Sequence, residues 1–269
     1  MGATDGFLDG THYRVSGAGA PVILIHGVGA DLEMWEPVAA RLAPTHRVVR
    51  YDMLGHGASA KPPGPYRLDD FVGQLEGFAD GIGIDRFTLV GFSMGGLVAQ
   101  GFALAQRGRI DRLVLLNTVF DRSAAERAAI AARVREIAEG GYAASIAPAL
   151  ERWFTPAFRT RRPDVVAAMR RRMESNDSAA YAAAYDVFAT ADRDLAPAIG
   201  RIAAPTIVVT GAEDQRSTPS MARAMAERLP RAHLHIVPGQ RHMTPLEVPD
   251  VVAAVISDAM ASWTTIAAQ

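Results

Sequence analysis

The chain has 269 residues, 49% of them hydrophobic and 21% charged, with a formal net charge of −1 and a pI of about 6.7. That length can bury a large core within one α/β domain with insertions, and the near-neutral charge argues against nucleic acid or an anionic membrane surface, leaving a small molecule as the expected partner. The absence of cysteine excludes disulfides, thiolate catalysis and cysteine-bound metal.

The first nine residues lack a basic segment followed by an apolar core, and no apolar run reaches membrane-spanning length. A soluble, cytoplasmic protein is expected. Residues 21–26 form a short apolar β-rich run that ends in Gly27-Val28-Gly29, and residues 35–42 then show helical spacing. A second strand is predicted over 46–51, ending at Asp52 and the turn Gly55-His56-Gly57. Residues 68–82 read as a helix, 86–91 as a strand, 94–106 as a helix and 112–117 as a strand.

The texture then changes. Residues 123–139, 142–153, 163–174 and 178–190 are alanine- and arginine-rich helical stretches with no good strand between them. The alternation resumes with a strand over 205–211, a helix over 218–229, a strand over 232–237 and a final helix over 248–263. Strands alternating with helices at this spacing imply a mostly parallel, doubly wound sheet, because right-handed crossovers leave few other arrangements. The helical block implies a cap over 121–195, between core segments 1–120 and 196–269. Such a cap would lie over the carboxyl ends of the strands, where ligands of open α/β sheets bind.

Gly91-Phe92-Ser93-Met94-Gly95, followed by Gly96, sits where the 86–91 strand meets the 94–106 helix. In that context Gly-x-Ser-x-Gly reads as a nucleophile elbow. The serine must take a left-handed backbone conformation, costing about 1–3 kcal/mol, to lift its Oγ above the strand ends. Glycines at 91 and 95 remove the Cβ atoms that would collide there. The helix that follows aims free N–H groups and its positive dipole end at the site, where an oxyanion can be held.

A serine hydroxyl needs a base and a carboxylate to orient that base, and on such a turn they follow in the order acid, then histidine. Of the downstream histidines, His233 and His235 alternate along a strand and suit surface or packing roles, whereas His242 lies in a loop just past the last strand. His242 is therefore the expected base. Asp214, beyond the 205–211 strand, is the expected acid over its neighbour Glu213 and over Asp121; Asp52 is expected to tie down its own loop. The oxyanion donors are expected from the N–H groups of Met94 and Val28, with His26 orienting the latter's loop.

At this point the chain resembles the α/β-hydrolase superfamily along nearly its whole length, through His26-Gly27-Val28-Gly29, Asp52 with Gly55-His56-Gly57-Ala58-Ser59, the elbow at Ser93, Gly211-Ala212-Glu213-Asp214 and Gly239-Gln240-Arg241-His242. Its closer likeness is to the 3-oxoadipate enol-lactonase-like and carboxylesterase branch, through Leu115-Leu116-Asn117-Thr118, Arg152-Trp153-Phe154-Thr155 and Asp192-Arg193-Asp194-Leu195. Asp52-Met53-Leu54-Gly55 and the polar Gln215-Arg216 after the acid depart from that branch. The resemblance implies a cap inserted after the sixth strand and a small anionic enol-lactone as substrate. Arg152 would then meet its carboxylate and Trp153 would close the apolar side.

The expected function is hydrolysis of a small ester or lactone through an acyl-enzyme on Ser93, with no metal or organic cofactor required. Carbon–carbon bond hydrolysis of a ring-fission product, or perhydrolysis, is open to the same groups. So, from another class, is a small-molecule receptor that retains them.

Overall fold

A computed structural model describes residues 4–261. Eight strands form one sheet in the order β1-β2-β4-β3-β5-β6-β7-β8. They are β1 (Thr4–Leu8), β2 (Thr11–Ser16), β3 (Ala20–Ile25), β4 (His46–Tyr51), β5 (Phe87–Phe92), β6 (Ile110–Leu116), β7 (Thr206–Gly211) and β8 (Ala232–Val237). The pairs from β4 through β8 are parallel, and β2 runs antiparallel to both of its neighbours, β1 and β4. This is the mostly parallel α/β arrangement that the alternation predicts. β5 and β7 are buried at every position, as expected of strands covered on both faces.

The amino-terminal hairpin is an addition to the sequence reading. Leu8 pairs with Thr11 across Asp9 and Gly10, both with positive φ (46° and 78°), which is the two-residue turn that matches the strand twist. The hairpin carries His12 to Asp52, with Nδ1 2.7 Å from Oδ2.

Helices α1 (Glu36–Leu42), α2 (Leu68–Gly81) and α3 (Met94–Ala105) connect the central strands. Between β6 and β7 the chain builds α4 (Ala124–Glu136), a π-helical turn (Ile137–Gly141), α5 (Tyr142–Trp153), α6 (Pro156–Arg161), α7 (Pro163–Glu174), α8 (Ser178–Thr190) and α9 (Asp192–Leu195), and among the described residues it contains no strand. The helix predicted over 123–139 thus ends its regular turns at Glu136, where the hydrogen-bond pattern widens before two glycines. After β7 come α10 (Pro219–Arg228), α11 (Thr244–Glu247) and α12 (Pro249–Ala261). The predicted end of the last helix, through Trp263, lies outside the described residues.

Strand order places the site. From β3 the chain moves outward to β4, and from β5 it moves the other way to β6, so the order reverses between β3 and β5. Right-handed crossovers in opposite directions put their helices on opposite faces and open a crevice at the carboxyl ends of those two strands. The loop after β3 and the turn after β5 meet there: a Cβ on Gly27 would stand 3.1 Å from Ser93 Cβ.

Candidate active site

Ser93 has φ 53° and ψ −115°, the strained conformation that the elbow requires. Its surroundings hold it there. Ser93 N–H donates to Leu116 O at 2.9 Å, while its carbonyl accepts from Thr118 Oγ1 at 2.8 Å and from Gly96 N–H at 3.0 Å. The glycines are needed for close approach. A Cβ on Gly91 would fall 2.3 Å from Gly95 O, and one on Gly95 would fall 2.5 Å from Ile25 O and His26 O. Met94 is the first residue of α3, so its N–H is among those with no partner one turn back in the helix.

His242 Nδ1 lies 2.7 Å from Asp214 Oδ2, and both residues are buried. Its ring lies between Phe92 and Trp153, with centroids 5.0 Å and 6.0 Å away. Phe92 immediately precedes Ser93, so the imidazole sits beside the elbow. With Nδ1 on Asp214, Nε2 is the nitrogen left to accept a proton.

Asp214 is held on every side. Its Oδ1 accepts the N–H groups of Arg216 and Ser217 at 2.9 and 3.0 Å, and Oδ2 accepts Asn117 Nδ2 at 2.9 Å. Burial pushes its pKa up. The His242 imidazole and these hydrogen bonds outweigh that push and hold the carboxyl below its ordinary value.

Asn117 is a site residue that the sequence reading quotes only for likeness. It has φ 46°, is fully buried, and accepts Thr244 Oγ1 at 2.6 Å while donating to Asp214, so it ties the acid to the segment just after His242. An asparagine at the carboxyl end of a strand, a type that tolerates the left-handed region, was the available signal.

The other candidates fall elsewhere. Asp121 is half exposed and pairs with Arg228 at 3.2 Å, and Glu213 is exposed near Arg241. Asp52 accepts Leu32 N–H at 2.7 Å and Ala58 N–H at 2.8 Å, so it braces its own loop as expected. His26 is fully buried, with Nδ1 2.8 Å from Gly27 O and Nε2 accepting Met53 N–H at 2.9 Å. Both nitrogens are engaged and burial lowers its pKa, which suits orientation of the Gly27–Gly29 loop. On the edge strand β8, His233 is half-buried and His235 exposed.

A cavity of about 370 Å³ is lined by Ser93, His242, Val28, Arg152, Trp153 and residues of α4 and α8. Five of the seven predicted site residues therefore line one cavity. Asp214 stands behind His242, and the Met94 side chain is buried in the core while its N–H begins α3. Trp153 does more than line a wall: its carbonyl accepts the N–H groups of both His242 and Met243 at 3.1 Å.

The helices between β6 and β7 are tied to both halves of the site. Arg241 Nη1 donates to Glu151 O at 2.8 Å, and Thr155 gives its N–H and hydroxyl to the two oxygens of buried Glu247 at 2.8 and 2.6 Å. On the other side, Asn176 Nδ2 donates to Gly29 O at 3.0 Å and Arg172 pairs with Asp31.

The matching family model is that of the alpha/beta hydrolase fold, over residues 20–249. The chain belongs to that family and is a hydrolase. It is 30% identical over 254 residues to the (E)-2-((N-methylformamido)methylene)succinate hydrolase of Acinetobacter baylyi, covering 94% of this chain and 93% of that one. It is likewise 30% identical over 228 residues to 3-oxoadipate enol-lactonase 2 of the same organism, covering 85% and 84%. Among solved structures, the enol-lactonase of Burkholderia xenovorans LB400 superposes with a TM-score of 0.88 at 30% identity, covering 96% of this chain and all of that one. Among the described residues, no helix is long and apolar enough to cross a membrane.

Proposed function

We propose that the protein is a serine hydrolase of small anionic esters or lactones, with residues 121–195 as its cap. Ser93 Oγ attacks the substrate carbonyl while His242 Nε2 takes the hydroxyl proton; Asp214 keeps the imidazole oriented and offsets the charge it gains. The negative charge developing on the carbonyl oxygen is met by the N–H groups of Met94 and Val28, each worth about 2.7–4 kcal/mol at the transition state. His242 then gives its proton to the leaving oxygen, and water activated by the same nitrogen releases the acyl group from Ser93.

The observation that carries this reading is the joint placement of an elbow serine, with φ 53°, and a histidine anchored to a buried carboxylate at 2.7 Å on one cavity. The anionic class is supported by Arg152. It is half-buried on the cavity wall, its Nε has no hydrogen-bond partner, and among the described residues it forms no ion pair. Two relatives are named for a substituted succinate and an oxoadipate lactone, both carboxylate-bearing.

Brief exposure to a fluorophosphonate followed by peptide mass spectrometry is the test. Covalent mass on Ser93, lost in Asp214→Asn and His242→Ala, is expected. Labelling elsewhere, or none, would overturn the reading. A panel of p-nitrophenyl esters, lactones and vinylogous diketones then separates ester and lactone cleavage from carbon–carbon hydrolysis.

A further inference from the structure

The charged groups around the cavity are not equally committed. Arg122 gives Nη1 to Asp192 Oδ1 at 2.7 Å and its backbone N–H to Oδ2 at 2.9 Å. Arg133 donates to Glu136 Oε2 at 2.6 Å. Glu126 accepts the N–H and hydroxyl of Ser123, both at 2.7 Å, to cap α4. Two cations are left over. Arg152 ends α5, and Arg216 follows Asp214 by two residues on the acid loop; both line the cavity, and neither has an ion-pair partner among the described residues. Arg216 is exposed and Arg152 is half-buried.

Both guanidiniums face one cavity, and burial first, then the charges of Arg216 and Arg133, lower the Arg152 pKa. Like charges without ion-pair partners on one cavity disfavour the site on their own, and an anion beside them removes that penalty. Arg216 is also held in place, since its own backbone N–H is fastened to Asp214 Oδ1 at 2.9 Å. The acid loop therefore sets where its guanidinium can reach. In the sequence this position is one of the departures from the lactonase-like pattern.

We propose that Arg152 and Arg216 form a two-charge clamp that makes the cavity select substrates bearing two carboxylates over those bearing one. Arg152 holds the inner carboxylate on the buried side of the cavity, and Arg216 meets the second at the rim. The proposal rests on the anionic-ester reading above and sharpens its substrate class. A solvated rim charge contributes modestly, up to about five-fold in affinity, and does so in a salt-dependent way.

The experiment uses equilibrium binding rather than turnover, so that it stands apart from the nucleophile assignment. Succinate and butyrate, equal in chain length and differing by one carboxylate, are titrated calorimetrically into the full-length Ser93→Ala protein. Succinate is expected to bind about five-fold more tightly at low ionic strength, with the preference shrinking in about 0.5 M salt. Arg216→Gln is expected to bring succinate to within about two-fold of butyrate, and Arg216→Lys to retain the preference, because it keeps the charge. Equal affinity for the two acids in the parent, no succinate binding, or a preference that survives Arg216→Gln would each overturn the clamp. A clamp that holds while Ser93 takes no fluorophosphonate would instead overturn the serine-hydrolase reading alone.

Discussion

Strand β5 is buried at all six positions, whereas α4 buries none of its thirteen residues, although the turn after the first and the inner side of the second border one cavity. The floor is over-determined. Ser93 is gripped through both its N–H and its carbonyl, neighbouring backbone leaves no room for a Cβ at Gly91 or Gly95, and Asp214 accepts hydrogen bonds from three directions besides His242. The roof over it is mostly a set of helix faces, tied down by hydrogen bonds at the Trp153–Thr155 corner and Asn176 and by an ion pair at Arg172, while α4 is held through the ion pairs of Arg127 with Asp192 and Asp121. On the proposed function, the difference puts the reaction at the floor, where geometry must hold to fractions of an ångström, and leaves choice of substrate to the roof and rim.

The largest expected effect is at the floor. Ser93→Ala should lower kcat on a p-nitrophenyl ester by about 10⁴-fold or more with little change in melting temperature, measured by steady-state rates and calorimetry. Retained turnover would break the division outright.

Asp214→Asn should follow, with a loss of about 10⁴-fold in kcat because the imidazole loses its orienting carboxylate. It also carries a pH signature. The folded pKa of Asp214 lies below the ordinary 3.8, so its stabilisation is complete above that value and is lost as pH falls toward the folded one. Below pH 3.8 the wild type should therefore lose stability more steeply than the variant, read by urea denaturation across acid pH. Glu247 has the opposite sign. Burial raises its pKa above 4.5, so its contribution is complete below that value and declines as pH rises through the folded one.

Asn117→Ala should cost about 1–3 kcal/mol, since it strands buried partners on Asp214 and Thr244, and should reduce kcat less than Asp214→Asn does. An unchanged denaturation midpoint would show that the acid needs no such tether. At the anchors of the roof, Glu247→Ala should be felt more than Ile130→Ala within it. The first removes both acceptors of Thr155 and should cost about 1–3 kcal/mol with a raised KM. The second trims a half-buried α4 side chain and should stay within about 1 kcal/mol while altering relative rates on bulky and small esters. Equal stability losses would mean that α4 is as firmly held as the corner.

Much of the floor was legible because its chemistry demands particular residues at particular spacings. A strand, a glycine on either side of the serine and a helix admit few other structures, and the three interior helices over 142–153, 163–174 and 178–190 end where their proline, Asp177 and polar boundaries indicate. The β1–β2 hairpin went unread, although Asp9-Gly10 is a strong turn signal, because neither strand has a continuous apolar run and β1 is an edge. Asn117 and Arg216 were visible as letters but not as roles.

By itself the sequence determined the order of strands from β3 onward and of most helices, the strained serine turn, and which histidine and carboxylate end on loops past the strands, since these follow from local periodicity and backbone sterics. Only the tertiary structure decided that Asn117 meets Asp214 across 97 positions, that Trp153 O supports the histidine loop, and that Arg152 and Arg216 line one cavity with no ion-pair partner among the described residues. Such pairings depend on how distant segments cross over the sheet. No short-range pattern records which side chains the closed chain leaves without a partner.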